Sequence, residues 1–159
     1  VSWNGFAAWR YLISYPRDFY VAGLAANVAG ADLVIFPGSD EIMQLMYFVA
    51  PGKDQKRINL TSVAGTVPAS SGLASIVSDV DCALSHGQRV VMLDVAVPGA
   101  GDSWRALGLL GYPRDRVMGI LGRFAFVNPH RVGPFIAHQL VPGSDARPAC
   151  AVVAPANMR

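Results

Sequence analysis

Charged residues are scarce in this chain of 159 residues, of which only 15% carry a charge. A soluble domain usually has about 25%. Thirteen basic and eleven acidic residues leave a formal net charge of +2. The basic residues are scattered, without a basic run or interleaved aromatic residues. Because nucleic-acid binding depends on clustered positive charge, the sequence predicts no nucleic-acid partner.

Cysteine is equally rare, and the chain contains only Cys82 and Cys150. Their spacing matches no CxxC or zinc-ligand pattern. Each cysteine fits a structural position, the first in a helix and the second in a strand. A disulfide between them stays open at this point, because a sequence does not give the distance between two side chains.

Long apolar runs are also missing. Residues 21–36 come nearest, but Asn27 and Asp32 interrupt them, whereas a membrane-spanning helix needs about 18 or more apolar residues in a row. The N-terminus lacks the basic and apolar regions of a signal peptide. The chain begins at Val1 within an aromatic pattern, and we interpret it as a piece of a longer protein.

Apolar residues, in contrast, make up 52% of the chain. Apolar and alternating segments predict strands at 33–36, 57–63, 89–97 and 150–153. Proline, glycine and helical periodicity predict helices before and between them, at 16–29, 40–49, 73–85, 104–110, 113–124 and 132–140. Strands that alternate with helices favour βαβ units. The sequence therefore predicts a single α/β domain over residues 1–159, a small Rossmann-like three-layer sandwich with a mostly parallel sheet of about four strands.

Residues 1–14 are rich in aromatic side chains, and we predict an N-terminal helix there. Trp3, Phe6 and Trp9 are three residues apart and share one side of such a helix. They could pack on the core of the domain itself. Alternatively, the helix is membrane-proximal, because Trp and Tyr favour sites with one wet and one apolar end.

The candidate ligand-binding residues follow two of the predicted strands. Ligands of open parallel sheets bind beyond the carboxyl ends of the strands, where Ser39, Asp40 and Glu41 follow the first strand and Asp94 lies near the end of the third. A helix N-terminus attracts anions through its partial positive charge. Asp40 and Glu41 already compensate this charge and would repel a phosphate. Sugar hydroxyls or a hard cation suit these carboxylates better. Alternatively, Ser39, Asp40 and Glu41 only cap the helix that follows them, and Asp94 only caps the loop after its strand.

No catalytic motif is complete. Residues 99–104 begin like a GxGxxG dinucleotide fingerprint, but Trp104 replaces the last glycine, which that motif needs for close helix–strand packing. GxSxG, GxxxxGK[ST] and HExxH patterns are lacking. His130 and His138 are eight residues apart and would not align on a helix. We predict no catalytic residue and no metal ligand, and the cofactor stays undetermined.

Two resemblances to known families remain. Residues 31–38 (Ala-Asp-Leu-Val-Ile-Phe-Pro-Gly) resemble the strand and Pro-Gly turn of class I glutamine-amidotransferase-like domains. That family needs a nucleophilic cysteine after a later strand, and residues 94–97 (Asp-Val-Ala-Val) contain none. This activity is therefore rejected.

The chain also resembles the soluble domain that follows the transmembrane helices of some bacterial polytopic membrane proteins. This resemblance is carried by the aromatic N-terminal helix and by residues 31–38, 84–90 and 104–123. Glycosyltransferases of the GT-C type, which use lipid-linked sugars, are among these membrane proteins. The catalytic acid of that family lies in an early loop of its membrane part, which this chain does not contain. The resemblance therefore implies a non-catalytic accessory domain that helps to bind a polymer or sugar acceptor.

The same resemblance implies a partner and a location. The partner is the membrane or the transmembrane portion of the parent protein, contacted through Trp3, Phe6 and Trp9, and the extracytoplasmic side is favoured. Two alternatives stay open. One is a nucleotide- or sugar-nucleotide-binding Rossmann module that uses Ser39, Asp40, Glu41 and Asp94, and the other is a free-standing structural protein. A homo-oligomer is compatible with each.

Overall fold

The fold is built on a mixed five-stranded sheet, seen in a computed structural model that describes residues 17–38, 46–49, 54–66, 69–95, 103–133 and 135–144. The strands are β1 (Leu33–Phe36), β2 (Lys56–Asn59), β3 (Val90–Val95), β4 (Phe124–Val132) and β5 (Phe135–Pro142). The helices are α1 (Arg17–Val28), α2 (Leu60–Thr66), α3 (Ala69–Ser85), α4 (Ser103–Leu109) and α5 (Arg114–Leu121). The predicted helix at 1–14 and the predicted strand at 150–153 lie outside the described residues.

The strands run in the order β2-β1-β3-β5-β4 across the sheet. β1 is parallel to both β2 and β3, whereas β5 is antiparallel to β3 and to β4. The α/β class predicted from the sequence is confirmed. The prediction of a mostly parallel sheet of about four strands is wrong, because β4 and β5 add an antiparallel hairpin to one side of the parallel half.

The hairpin replaces the helix that we predicted over 132–140. Val132 and Phe135 pair across a two-residue connection, and Gly133 adopts a positive φ of 58°, which favours glycine. β5 lies between β3 and β4, and its burial pattern shows that both of its faces are at least partly covered. A strand covered on both faces loses the clear apolar–polar alternation that identifies strands in a sequence.

The predicted strand at 57–63 ends early, at Asn59. The Asn59 side-chain oxygen accepts the backbone N–H groups of Thr61 at 2.9 Å and of Ser62 at 3.3 Å. This is the usual role of an asparagine at a helix N-cap. A helix therefore begins at Leu60, and Leu60 and Ala64 bury one of its faces.

The helix predicted at 73–85 begins earlier in the structure, because α3 starts at Ala69. Gly72 is buried in the first turns of α3, where a Cβ atom would lie 3.0 Å from Cγ1 of Val63. Glycine at this position therefore lets α2 and α3 approach closely.

Helices cover both faces of the sheet. In β1 all four residues are buried, with Leu33 and Ile35 in one core and Val34 and Phe36 in the other. The first core is completed by residues of α2 to α5, namely Leu60, Leu73, Ile76, Val80, Leu107, Val117 and Leu121. The second is completed by Leu24 and Val28 of α1, Met46 and Val49. Coverage of both faces explains the uninterrupted apolar run of β1.

α3 is the longest helix of the described part, with 17 residues. In those ranges we find no helix that has both the length and the apolar character to cross a membrane. α3 carries Cys82, which is partly buried and disulfide-bonded. Cys150, the second cysteine of the chain, lies outside the described residues.

Candidate functional site

The carboxyl ends of β1, β2 and β3 share one edge of the sheet, because these three strands are parallel. Open α/β sheets bind their ligands at this edge. Of the four predicted site residues, Asp94 lies there, in β3. Ser39, Asp40 and Glu41 follow β1 in the sequence and lie outside the described residues. Asp94 is thus the predicted site residue that the described part of this edge contains.

Asp94 is buried, with 2% of its surface exposed, and its carboxylate binds the side chains of Trp104 and Arg114. Oδ1 accepts a hydrogen bond from the indole N–H of Trp104 at 2.8 Å. Oδ2 accepts one from the Arg114 guanidinium at 2.7 Å, which also forms an ion pair. Trp104 belongs to α4 and Arg114 begins α5. The carboxylate therefore joins the end of β3 to both helices that follow it.

Arg114 contacts both the Asp94 carboxylate and the Trp104 ring. Its guanidinium carbon lies 5.9 Å from the centroid of the Trp104 ring, within the range of a cation–π contact. The hydrogen bond to Asp94 raises the pKa of Arg114. The Arg114 side chain is 46% exposed, so water screens the outer part of this ion pair. Arg114 is the positive charge that accompanies the buried carboxylate.

His138 faces the same side of the sheet as Asp94. It lies on β5 opposite Met92, two residues before Asp94 on β3, and its ring contacts Phe126 edge-on at 5.7 Å. Nδ1 is buried and has no hydrogen-bond partner among the described residues. Burial lowers the pKa of His138, and Arg114 lowers it further, while the negative charge of Asp94 raises it. The imidazole is therefore held in its neutral form at neutral pH.

Burial of neutral His138 predicts a pH-dependent stability. The unfolded chain takes up a proton at the ordinary histidine pKa of about 6.5, whereas the folded state resists protonation. The free energy of unfolding should therefore be at its plateau above that pH and fall as the pH decreases below it. Urea unfolding at a series of pH values from about 5 to 8 measures this slope.

The His138→Leu variant should flatten the slope. His130→Leu is the matched control, because His130 is exposed on β4 and its substitution should leave the slope unchanged. An equal slope in wild type and His138→Leu would show that His138 does not cause the pH dependence.

The ends of β1 and β2 are also held by polar groups. The Thr61 hydroxyl accepts the backbone N–H of Gly38 at 3.2 Å, and Asn59 caps α2 as described above. A Cβ atom at Gly38 would collide with the Asn59 side chain. These polar groups are thus used to hold the turn after β1 against the start of α2.

The second buried acid of the described ranges, Asp81 on α3, also has a structural partner. Its carboxylate pairs with Arg123 at 3.2 Å. In the part of the chain that the structure describes, no three or more His, Cys, Asp or Glu residues form a group that could hold a metal ion.

The sequence predicted a ligand-binding role for Asp94, which stays a prediction, and it did not indicate the partners of this residue. Trp104, Arg114 and His138 are 10, 20 and 44 residues away from it. One signal was available: a buried aspartate at the end of a strand needs a cation or several donors, and Arg114 follows a proline at a helix start. Nothing indicated His138, because its segment was assigned to a helix.

Comparison with known proteins adds no relative to this picture. Models of protein families, curated proteins and solved structures were compared with the chain, and it matches none of them.

Proposed function

We propose that this chain is a non-catalytic accessory domain of a larger bacterial membrane-associated protein, with a glycosyltransferase of the GT-C type as its parent. The state of Asp94 supports this proposal most directly. An open α/β enzyme places reacting groups at the carboxyl edge of its sheet, but here the Asp94 carboxylate is buried and bound by Trp104 and Arg114. A carboxylate held in this way stabilises the fold and is not presented to a substrate.

Asn59 and Thr61 at the same edge support the proposal in a similar manner. Their side-chain oxygens bind backbone N–H groups of the turn after β1 and of α2. A domain organised in this way contributes a surface to its parent protein, and we propose that this surface helps to bind a polymer or sugar acceptor. Trp3, Phe6 and Trp9 of the aromatic N-terminal segment would contact the membrane or the transmembrane portion of the parent.

An extracytoplasmic location is part of the proposal. Cys82 is disulfide-bonded, and disulfides persist mainly in oxidising compartments outside the cytoplasm. The low content of charged residues, at 15%, also fits a domain that covers part of its surface with a partner.

Nucleotide and sugar-nucleotide ligands distinguish this proposal from the alternative of a Rossmann-type binding module. We expect no change in melting temperature with ATP, NAD or a UDP-sugar at millimolar concentration. A true ligand at about 100 times its dissociation constant would add ~2.7 kcal/mol of stability, which a thermal-shift assay detects readily. A clear shift with one nucleotide that is lost in Ser39→Ala would establish the binding module instead.

The gene that encodes the chain offers an independent check. Transmembrane helices encoded directly before Val1 would support the proposal, and a start codon at that position would overturn it.

A further inference from the structure

The end of α3 carries a covalent cross-link. Cys82 lies in the last turn of this helix and is disulfide-bonded. The chain has one other cysteine, Cys150, so a disulfide within the chain has one possible partner. Cys150 lies outside the described residues, but contacts around Cys82 determine whether it can reach this helix.

The chain leaves the sheet next to Cys82. Asp81, the residue before Cys82, forms an ion pair with Arg123 at 3.2 Å. The carbonyl oxygen of Arg123 accepts the backbone N–H of Gly143 at 3.1 Å, and a Cβ atom at Gly143 would collide with that oxygen. Gly143 directly follows β5. The end of β5 is therefore fixed one ion pair away from the end of α3.

The length of the following segment allows Cys150 to reach Cys82. Cys150 is seven residues after Gly143, and an extended chain of that length spans at most about 23–25 Å. One arginine and one aspartate side chain separate Gly143 from α3, and together they are much shorter than this reach. A disulfide needs its two Cα atoms within about 7 Å of each other. The bond can therefore form without any change in α3, β4 or β5.

We propose that Cys82 and Cys150 form an intramolecular disulfide that ties residues 145–159 to the end of α3, and that a dithiol reductant releases this tether. The end of the helix is accessible to such a reductant. Cys82 is partly buried, whereas Ser85 and His86 in the same turn are exposed.

Reduction of the bond consumes one dithiol. A thiolate of the reductant attacks one of the two sulfur atoms, and the S–S bond breaks as the other cysteine leaves as a thiolate and takes up a proton. The second thiol of the reductant then displaces the attacked cysteine and forms the reductant's own disulfide. Both cysteines end as thiols, and the dithiol is oxidised by the same two electrons.

This inference goes beyond the accessory role proposed above and does not depend on it. The bond would close a loop from Cys82 to Cys150 that contains β3, α4, α5, β4 and β5, and would thereby restrict the unfolded chain. Reduction would lower the stability of the domain and free residues 145–159 from α3. The position of this segment would then depend on the redox conditions around the protein.

Peptide mapping of the unreduced full chain identifies the partner of Cys82. After alkylation of free thiols and proteolysis, mass spectrometry should find the peptides that contain Cys82 and Cys150 joined as one species, which dithiothreitol separates. The chain should run as a monomer on a non-reducing gel. Alkylation of both cysteines before reduction, or a covalent dimer that dithiothreitol dissociates, would overturn the proposal.

The Cys150→Ser variant tests the effect of the bond on stability. Its melting temperature should lie about 5–15 °C below that of the oxidised wild type, because its unfolded chain has no cross-link. Reduction of the wild type should produce the same shift, whereas dithiothreitol should leave Cys150→Ser unchanged. Ala149→Ser is the matched control, since it introduces a serine next to the cysteine and keeps the bond. Equal melting temperatures of the two variants without reductant would show that the cross-link is absent.

Limited proteolysis tests the tether itself. Subtilisin should cleave within residues 145–159 slowly in the oxidised wild type, and at least several-fold faster after reduction or in Cys150→Ser. The measurement is made well below the melting temperature, where the domain stays folded. Equal cleavage rates in the oxidised and reduced protein would contradict the tether even if the disulfide is present. None of these measurements needs a membrane or an acceptor, so their outcome is independent of the accessory role.

Discussion

The Val34→Asp variant is expected to be unfolded at room temperature. Val34 has no exposed surface and lies in β1 between its two parallel neighbours, so its side chain is enclosed in the core beneath α1. An aspartate there would bury a charge among apolar residues, at a cost of several kcal/mol. The whole domain is stabilised by about 5–15 kcal/mol, so this single change removes most or all of that stability.

Circular dichroism and urea unfolding measure the outcome, with two variants for comparison. Val34→Ala should remain folded and lose about 2 kcal/mol. Ala26→Asp introduces the same charge on the exposed side of α1, where it should cost about 0.5–1 kcal/mol. A cooperative, wild-type-like unfolding transition in Val34→Asp would show that β1 is not a central strand of the sheet.

Breaking the contact between Asp94 and Arg114 should have the second-largest effect. Arg114→Met removes the cation that pairs with the buried carboxylate, while the Trp104 indole still donates to it, and we expect a loss of about 2–3 kcal/mol. Asp94→Ala leaves the Trp104 N–H without its acceptor, at a similar cost of about 2–3 kcal/mol. The double variant should lose less than the sum, with a coupling of about 1 kcal/mol or more.

Urea unfolding of the four proteins in this cycle gives the coupling energy. Arg116→Met is the matched control, because Arg116 lies on the same helix but is exposed, and its loss should cost less than about 1 kcal/mol. Unchanged or increased stability in Asp94→Ala would contradict the structural role. That result is typical of residues kept for function at the expense of stability, and it would favour the ligand-binding alternative.

Much of the fold could be predicted because the signals were local. The run Leu33–Phe36 is apolar throughout, which is typical of a strand covered on both faces, and the structure places it there. α1 and α5 each follow a proline that suits the first turn of a helix. Each of these signals lies within the element that it specifies.

The hairpin of β4 and β5 could not be predicted in the same way. Residues 135–142 form an inner strand because β3 lies on one side of them and β4 on the other. The two cores of the domain cover both faces of this strand, with Leu140 in one and Phe135 in the other, and this leaves no clear periodic pattern. The end of β2 at Asn59 had a local cause, a side chain that caps α2, but the alternating pattern of 57–63 concealed it.

The candidate site likewise has one part that local sequence predicts and another that depends on tertiary contacts. By itself, the sequence placed an acidic residue, Asp94, near the end of a buried strand, at the edge where open parallel sheets bind their ligands. Only the tertiary structure decided what this carboxylate does, because its partners come from α4 and α5, 10 and 20 residues away. A buried charge must be paired wherever the packing brings a donor, and the pairing of distant residues depends on how helices and strands meet in space.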